Sequence, residues 1–128
     1  MSGTRIHCDT HVVAWLYAER LDMMTPLGRS LVDERDLTMS PMVELELTYL
    51  HEIGRLAAPG AVIFADLSER IGLRRSENSF AAVTASAAAL SWTRDPFDRI
   101  IAGDASASAC QLLTKDQHML DNFELAVW

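Results

Sequence analysis

Basic residues are scarce in this chain: 11 Lys and Arg stand against 18 Asp and Glu, a formal charge of -7. That balance excludes a protein that grips nucleic acid chiefly through a broad basic surface. Cysteine is almost as sparse. Cys8 and Cys110 are the only two, both in apolar surroundings and with no C-x-x-C or C-x-x-H pattern, and they read as buried thiols of a reducing compartment. Long apolar runs are missing too. The longest candidate, residues 81–90, is interrupted by Thr84 and Ser86 and falls short of the roughly 18–20 residues of a membrane span. Met1-Ser2-Gly3-Thr4-Arg5 leads straight into a strand-like segment instead of a signal-peptide pattern, so a soluble cytoplasmic protein is expected. Repeats, low-complexity tracts and linkers are absent, and 128 residues leave room for one domain. No G-x-S-x-G, Walker or G-x-G-x-x-G pattern occurs, and His7, His11, His51 and His118 lack the spacing of a zinc site.

What the chain does have is a core and a regular alternation. Hydrophobic residues make up 49%, enough to exclude disorder. Residues 5–9 alternate polar and apolar and read as a strand ending at Asp9, after which Thr10 is expected to cap a helix through Val12, Val13, Trp15 and Leu16. Residues 27–34 read as a helix and 36–40 as a second strand. Ser40-Pro41 joins an N-cap residue to a proline at the first helical position, starting a helix that stops near Gly54. Helices are also expected over 61–71, closed by Gly72, over 80–90, and over 97–109 after Asp95-Pro96. Short strands are expected at 73–76, 111–114 and 125–127. This order predicts an α/β three-layer sandwich, a short parallel sheet of about four to five strands flanked by helices.

In such a sheet ligands bind beyond the carboxyl ends of the strands, and Asp9 and Asp116 both follow strands. At 100° per residue from Met42, Glu46 falls at about 40°, among Ile53, Leu50 and Tyr49, and is expected in the middle of a buried stripe. Glu44, at about 200°, is expected to face solvent. A carboxylate on an apolar face needs a partner, which leaves a buried arginine pair or a ligand role for Glu46. In Asp95-Pro96-Phe97-Asp98-Arg99 the first acid fits the N-cap and Asp98 the third helical position. Asp98 shares a face with Ile101, Ala102, Ala105 and Ala109, so it is expected to point inward and Asp104 outward. Asp9, Glu46, Asp98 and Asp116 thus converge on one edge. Like charges gathered this way raise each other's pKa unless a cation is bound, and hard oxygen donors suit Mg²⁺ or Mn²⁺. Divalent-metal phosphoryl chemistry is as far as the residues alone lead.

Asp9-Thr10-His11, Ser40-Pro41 with Glu46-Leu47, Asp98-Arg99-Ile100-Ile101-Ala102 and Leu113-Thr114-Lys115-Asp116 occur in that order along the chain. Together they resemble the PIN-domain ribonucleases, and within these the VapC-type toxins of type II toxin–antitoxin pairs. The resemblance covers essentially the whole chain, 1–128, as a single PIN-like domain. It implies a Mg²⁺-dependent endoribonuclease acting on RNA, a homodimer, and inhibition by a cognate antitoxin. Carried over, Asp9, Glu46 and Asp98 match the family's core acids and Asp116 its more variable fourth. Thr10 and Thr114 fall where hydroxyls bond those carboxylates, and Asp95 has a counterpart with an auxiliary role.

Arg94, Arg99 and Lys115 adjoin the acids, as RNA-phosphate contacts or as plain ion pairs. His11 reads as a helix-surface histidine near Asp9. Met23, Met24, Met39 and Met42, with Trp15 and Tyr49, read as core or dimer surface. A receiver-type phosphoacceptor domain is the alternative from another class. Against it, the first strand ends in a single Asp and no strand carries an acceptor Asp in mid-chain. A PIN-like module that only binds a partner is a third reading.

Overall fold

In the computed structural model, which describes residues 4–128, side-chain oxygens open six of the seven α-helices. Asp9, Thr25, Ser40, Ser79, Asp95 and Asp116 each accept a backbone N–H from the turn that follows, satisfying donors a helix end leaves orphaned. Three of these caps precede a proline, Pro26, Pro41 or Pro96, whose missing N–H costs nothing there. The elements run β1 (Arg5–Cys8), α1 (Thr10–Tyr17), a 3-10 turn (Leu21–Met23), α2 (Pro26–Glu34), β2 (Asp36–Met39), α3 (Pro41–Glu52) and α4 (Gly60–Ile71). They continue as β3 (Arg74–Arg75), α5 (Phe80–Ala88), α6 (Pro96–Ala107), β4 (Leu112–Leu113), α7 (Gln117–Asn122) and β5 (Ala126–Val127).

All four strand pairings are parallel, in the order β3-β2-β1-β4-β5. The chain builds outward from β1 to β3, then returns to the other side of β1 for β4 and β5. A receiver-type sandwich has the order 2-1-3-4-5, so this sheet is of another kind. Successive residues of β1 and β2 are buried on both sides, Ile6 and Cys8 on one face and His7 on the other, Leu37 and Met39 opposite Thr38. A parallel sheet buried on both faces requires helices above and below. Leu47, Ile63, Leu67, Ile101 and Met119 carry the helical side of the core.

Several expectations are corrected. Asp9, not Thr10, caps α1, because its carboxylate already lies beside the Thr10 N–H. The helix α7, opened by Asp116, was not expected; at six residues it is too short to show a periodic stripe. Strands β3, β4 and β5 keep only two residues each, although ladder bonds run past them, such as His7 N–H to Gln111 O at 2.9 Å and Thr114 N–H to Val127 O at 3.0 Å. Helix α6 stops at Ala107, and Ala109 adopts a left-handed φ of 53°, which takes it off the face of Asp98.

Two acids also point elsewhere than expected. Glu44 does not face open solvent: both its oxygens receive the Arg75 guanidinium, Nε to Oε1 at 2.6 Å and Nη2 to Oε2 at 3.1 Å. Asp104 is buried, at 2% exposure, because α5 and the segment before it cover the far side of α6. Its Oδ1 accepts the Ser76 hydroxyl at 2.6 Å and the Asn78 amide at 2.9 Å, and the same amide reaches the Ser108 hydroxyl at 2.7 Å. The buried His7 ring completes this network at Ser108, with Nε2 at 3.1 Å.

Helix α3, which carries Glu46, is set against α4 by a close backbone approach. A Cβ at Gly60 would lie 2.1 Å from the Glu44 carbonyl oxygen, while the Gly60 N–H donates to the Thr48 hydroxyl at 3.0 Å. Gly60→Ala therefore has to push α3 aside. It is expected to lower unfolding stability by about 1–3 kcal/mol or more, read by urea denaturation. A change within about 0.5 kcal/mol would contradict this packing.

Candidate functional site

The direction of strand addition reverses between β1 and β4, and there the carboxyl ends of an α/β sheet leave a crevice. Asp9 follows β1 directly, and Asp116 follows β4 after Thr114 and Lys115. Asp9 is buried, at 5% exposure. Its Oδ1 accepts the Thr10 N–H at 2.8 Å and its Oδ2 the Thr114 hydroxyl at 2.6 Å. Thr114 Oγ1 in turn accepts the Asp116 N–H at 3.0 Å, and Asp116 Oδ1 accepts the Met119 N–H at 3.1 Å. On the other side the Thr10 hydroxyl donates to Glu46 Oε1 at 2.5 Å. Two threonines thus tie the acids of three separate elements into one chain of hydrogen bonds.

Asp98 enters from the first turn of α6, half-buried. Asp95 Oδ1 accepts the N–H groups of Phe97 and Asp98, at 2.9 and 3.1 Å, and so holds that turn in place. Burial first, and then the charges of Asp95, Asp9, Asp116 and Glu46, push the Asp98 carboxyl up to about 7. Burial likewise raises Asp9, against the Thr114 and Thr10 bonds, and raises Glu46 against the Thr10 bond. None of the ion pairs among the described residues involves any of these five acids. The arginine partner considered for Glu46 is therefore not there. The structure brings Asp9, Glu46, Asp95 and Asp116 within electrostatic reach of Asp98, and all four act on it in the same direction.

The acids stand around the crevice without closing on a point. Among the described residues no three His, Cys, Asp or Glu side chains form a ready-made cage for a metal ion. Glu46 sits at the edge of the α3 stripe, whose buried residues are Val43 and Leu47; Tyr49 and Ile53, its expected neighbours, are 47% and 49% exposed. The stripe is rotated because α3 packs against α1, α4 and α6 together. Arg99 is occupied at the end of α5: Nε donates to Ala87 O at 2.9 Å and Nη2 to Ala88 O at 3.1 Å. Arg94 and Lys115 are exposed, as is His11. Asp104 was missed as a buried network residue, and its position inside the small-residue run Ala102-Gly103-Asp104-Ala105 was the available signal. A cavity of about 540 Å³ along the β3 edge, between Arg5, Thr38 and Arg74, contains none of these five acids.

No family model matches the chain, and no curated protein is recognisably similar to it in sequence. Among solved structures it is similar to the crystal structure of VapBC2 from Rickettsia felis bound to a DNA fragment from their promoter. The TM-score is 0.69 at 15% identity, over 97% of this chain and 97% of that chain. At that identity the likeness establishes a shared α/β fold. Among the described residues no helix is long and apolar enough to cross a membrane.

The raised Asp98 carboxyl makes stability depend on pH in a defined sense. Its ordinary value is 3.8 and its folded value about 7, so between them the native state holds a proton that the unfolded chain has released. The contribution of this group is fully present below about pH 4 and lost as pH rises through about 7. In metal-free buffer Asp98→Asn removes that loss, so its Tm relative to wild type is expected to rise from pH 4 to pH 8. A Tm difference independent of pH would contradict the crowding of these acids.

Proposed function

We propose that this chain is a divalent-metal-dependent endoribonuclease of the PIN-domain, VapC type, the toxin of a toxin–antitoxin pair. The observation that carries the reading is the group of carboxylates at the sheet's switch point, none of which is in an ion pair among the described residues. It stands on a fold similar to that of VapBC2.

The donor set fits a hard cation. Asp9, Glu46, Asp98 and Asp116 offer only carboxylate oxygens, the chemistry that favours Mg²⁺ or Mn²⁺ over softer metals. Such an ion, when bound, neutralises these charges, polarises a phosphoryl oxygen and activates water for attack on a phosphodiester. The chain's own residues prepare the place. Thr114 fixes the Asp9 carboxylate through Oδ2, and Thr10 fixes Glu46 through Oε1, leaving Glu46 Oε2 without a hydrogen bond among the described residues. Such supporting bonds orient ligands and typically matter 10–100-fold. Asp95 orders the first turn of α6, and the helix N-terminus there favours negative charge, whether from Asp98 or from an arriving phosphate. Arg99 ties the first turn of α6, which carries Asp98, to the end of α5.

The partners follow from the same reading. RNA is the substrate, and a cognate antitoxin is the regulator, supported by the likeness to a VapBC assembly. A homodimer is supported by an apolar surface on α3 and α5, where Leu45 is 56%, Tyr49 47% and Phe80 75% exposed. The cytoplasm is the compartment in which all three meet.

The expected outcome is cleavage of single-stranded or structured RNA with Mg²⁺ or Mn²⁺, abolished by EDTA, and growth arrest on expression. Asp98→Asn is expected to lose about 100-fold or more in cleavage rate, and Thr114→Val about 10–100-fold. Equal activity in wild type and Asp98→Asn, or activity that persists in EDTA, would overturn the mechanism.

A further inference from the structure

Beside the acids lies a row of aromatic rings that the proposed chemistry does not use. His11 and Trp15, one turn apart on α1, have ring centroids 5.9 Å apart, and the Trp128 ring continues the row another 5.9 Å from Trp15. Lys115, the only lysine in the chain, places its ammonium 5.3 Å from the Trp15 centroid. His11, Trp15, Lys115 and Asp116 line an open cleft of about 210 Å³. The cleft and the candidate site share Asp116.

We propose that this cleft is a nucleobase-stacking subsite, which seats one base of single-stranded RNA on His11 and Trp15 and meets the flanking phosphate with Lys115. The proposal rests on the ribonuclease reading for the identity of the strand, and deepens it by naming how the strand is held. An acidic chain cannot rely on many phosphate contacts. Base stacking on aromatic rings supplies affinity without charge, tolerates any sequence, and selects unpaired bases because only these expose a π-face. The exposed His11 ring and half-buried Trp15 ring offer such faces, and a cation over an indole is already a favourable pairing that a phosphate can extend. Half-burial among core residues also holds Trp15 in place, so little order is lost when a base arrives.

The test is fluorescence anisotropy with a labelled six-nucleotide single-stranded RNA in EDTA, so that binding is read apart from cleavage. Wild type is expected to bind the single strand at least tenfold more tightly than a duplex of the same sequence. With one phosphate contact, log affinity should fall against log salt with a slope of only about -0.7. Trp15→Ala is expected to weaken binding about tenfold or more and Trp15→Phe by less than about threefold. Should Trp15→Ala fail to give a native circular dichroism spectrum, the exposed His11→Ala is expected to weaken binding severalfold. Bound RNA is also expected to protect Lys115 of the wild-type chain from an amine-reactive reagent. Unchanged affinity in a folded Trp15→Ala, equal binding of duplex, no binding of the single strand, or an unprotected Lys115 would overturn the proposal. Binding as described without metal-dependent cleavage would overturn the ribonuclease reading and leave this subsite standing. Metal-dependent cleavage with KM unchanged in His11→Ala and Trp15→Ala would do the reverse.

Discussion

Five carboxylates share one crevice, and their mutual repulsion is the constraint around which the rest of the structure is arranged. Burial alone disfavours the charged form of a carboxyl, and each like-charged neighbour adds to the penalty. Asp98 shows the sum most clearly, displaced to about 7 with all four neighbours acting against it. A fold does not keep such a cluster for stability. It needs the sheet order that opens a crevice between β1 and β4, the caps that aim α1, α6 and α7 at it, and two threonine hydroxyls that hold Asp9 and Glu46 in place. The elements that position the acids carry other tight constraints as well, such as the contact of Gly60 with the backbone of α3.

The crevice also accounts for part of the chain's acidity. Elsewhere acids are matched in ordinary ways: Glu44 by Arg75, Asp66 by Arg70, and Asp104 by Ser76 and Asn78 in a buried network that pins the segment before α5 to α6. Those pairs use up basic side chains, and Arg99 is turned toward the end of α5. The other basic side chains are outnumbered by the chain's acids, and a net charge of -7 gives no broad basic surface to attract a polyanion. A protein of this kind can hold a strand through a cation in the crevice and through flat aromatic rings beside it, both of which work without a basic surface. On the proposed ribonuclease reading the net charge limits the mode of RNA binding, and the rings of His11 and Trp15 on α1 supply the complementary mode.

Much of this was legible in the sequence. Strong local signals did it: Ser40-Pro41 and Asp95-Pro96 open α3 and α6 where expected, Gly72 closes α4 with a left-handed φ of 73°, and strand–helix alternation gave a parallel sheet with Asp9 at its edge. What was not legible depended on packing. Helical angles counted from Met42 put Glu46 at the centre of the buried stripe, but α3 packs against α1, α4 and α6, and the residues it buries are Val43 and Leu47. Asp104 looked solvent-facing because a helical wheel assumes one buried face, and α6 is covered on two. Helix α7 was too short for its period to be seen, and Trp15 carried no local mark that set it apart from the core aromatics.

On the proposed function the crowded carboxylates await a hard divalent cation. A titration of the wild-type chain with Mn²⁺, followed by electron paramagnetic resonance with Mg²⁺ as competitor, tests this most directly. Saturable binding is expected at pH 8, displaced by Mg²⁺, weaker at pH 5, and lost in Asp98→Asn, because the proton that Asp98 holds below about 7 competes with the ion. Absence of saturable binding at pH 8, or binding unaffected by Asp98→Asn, would contradict it.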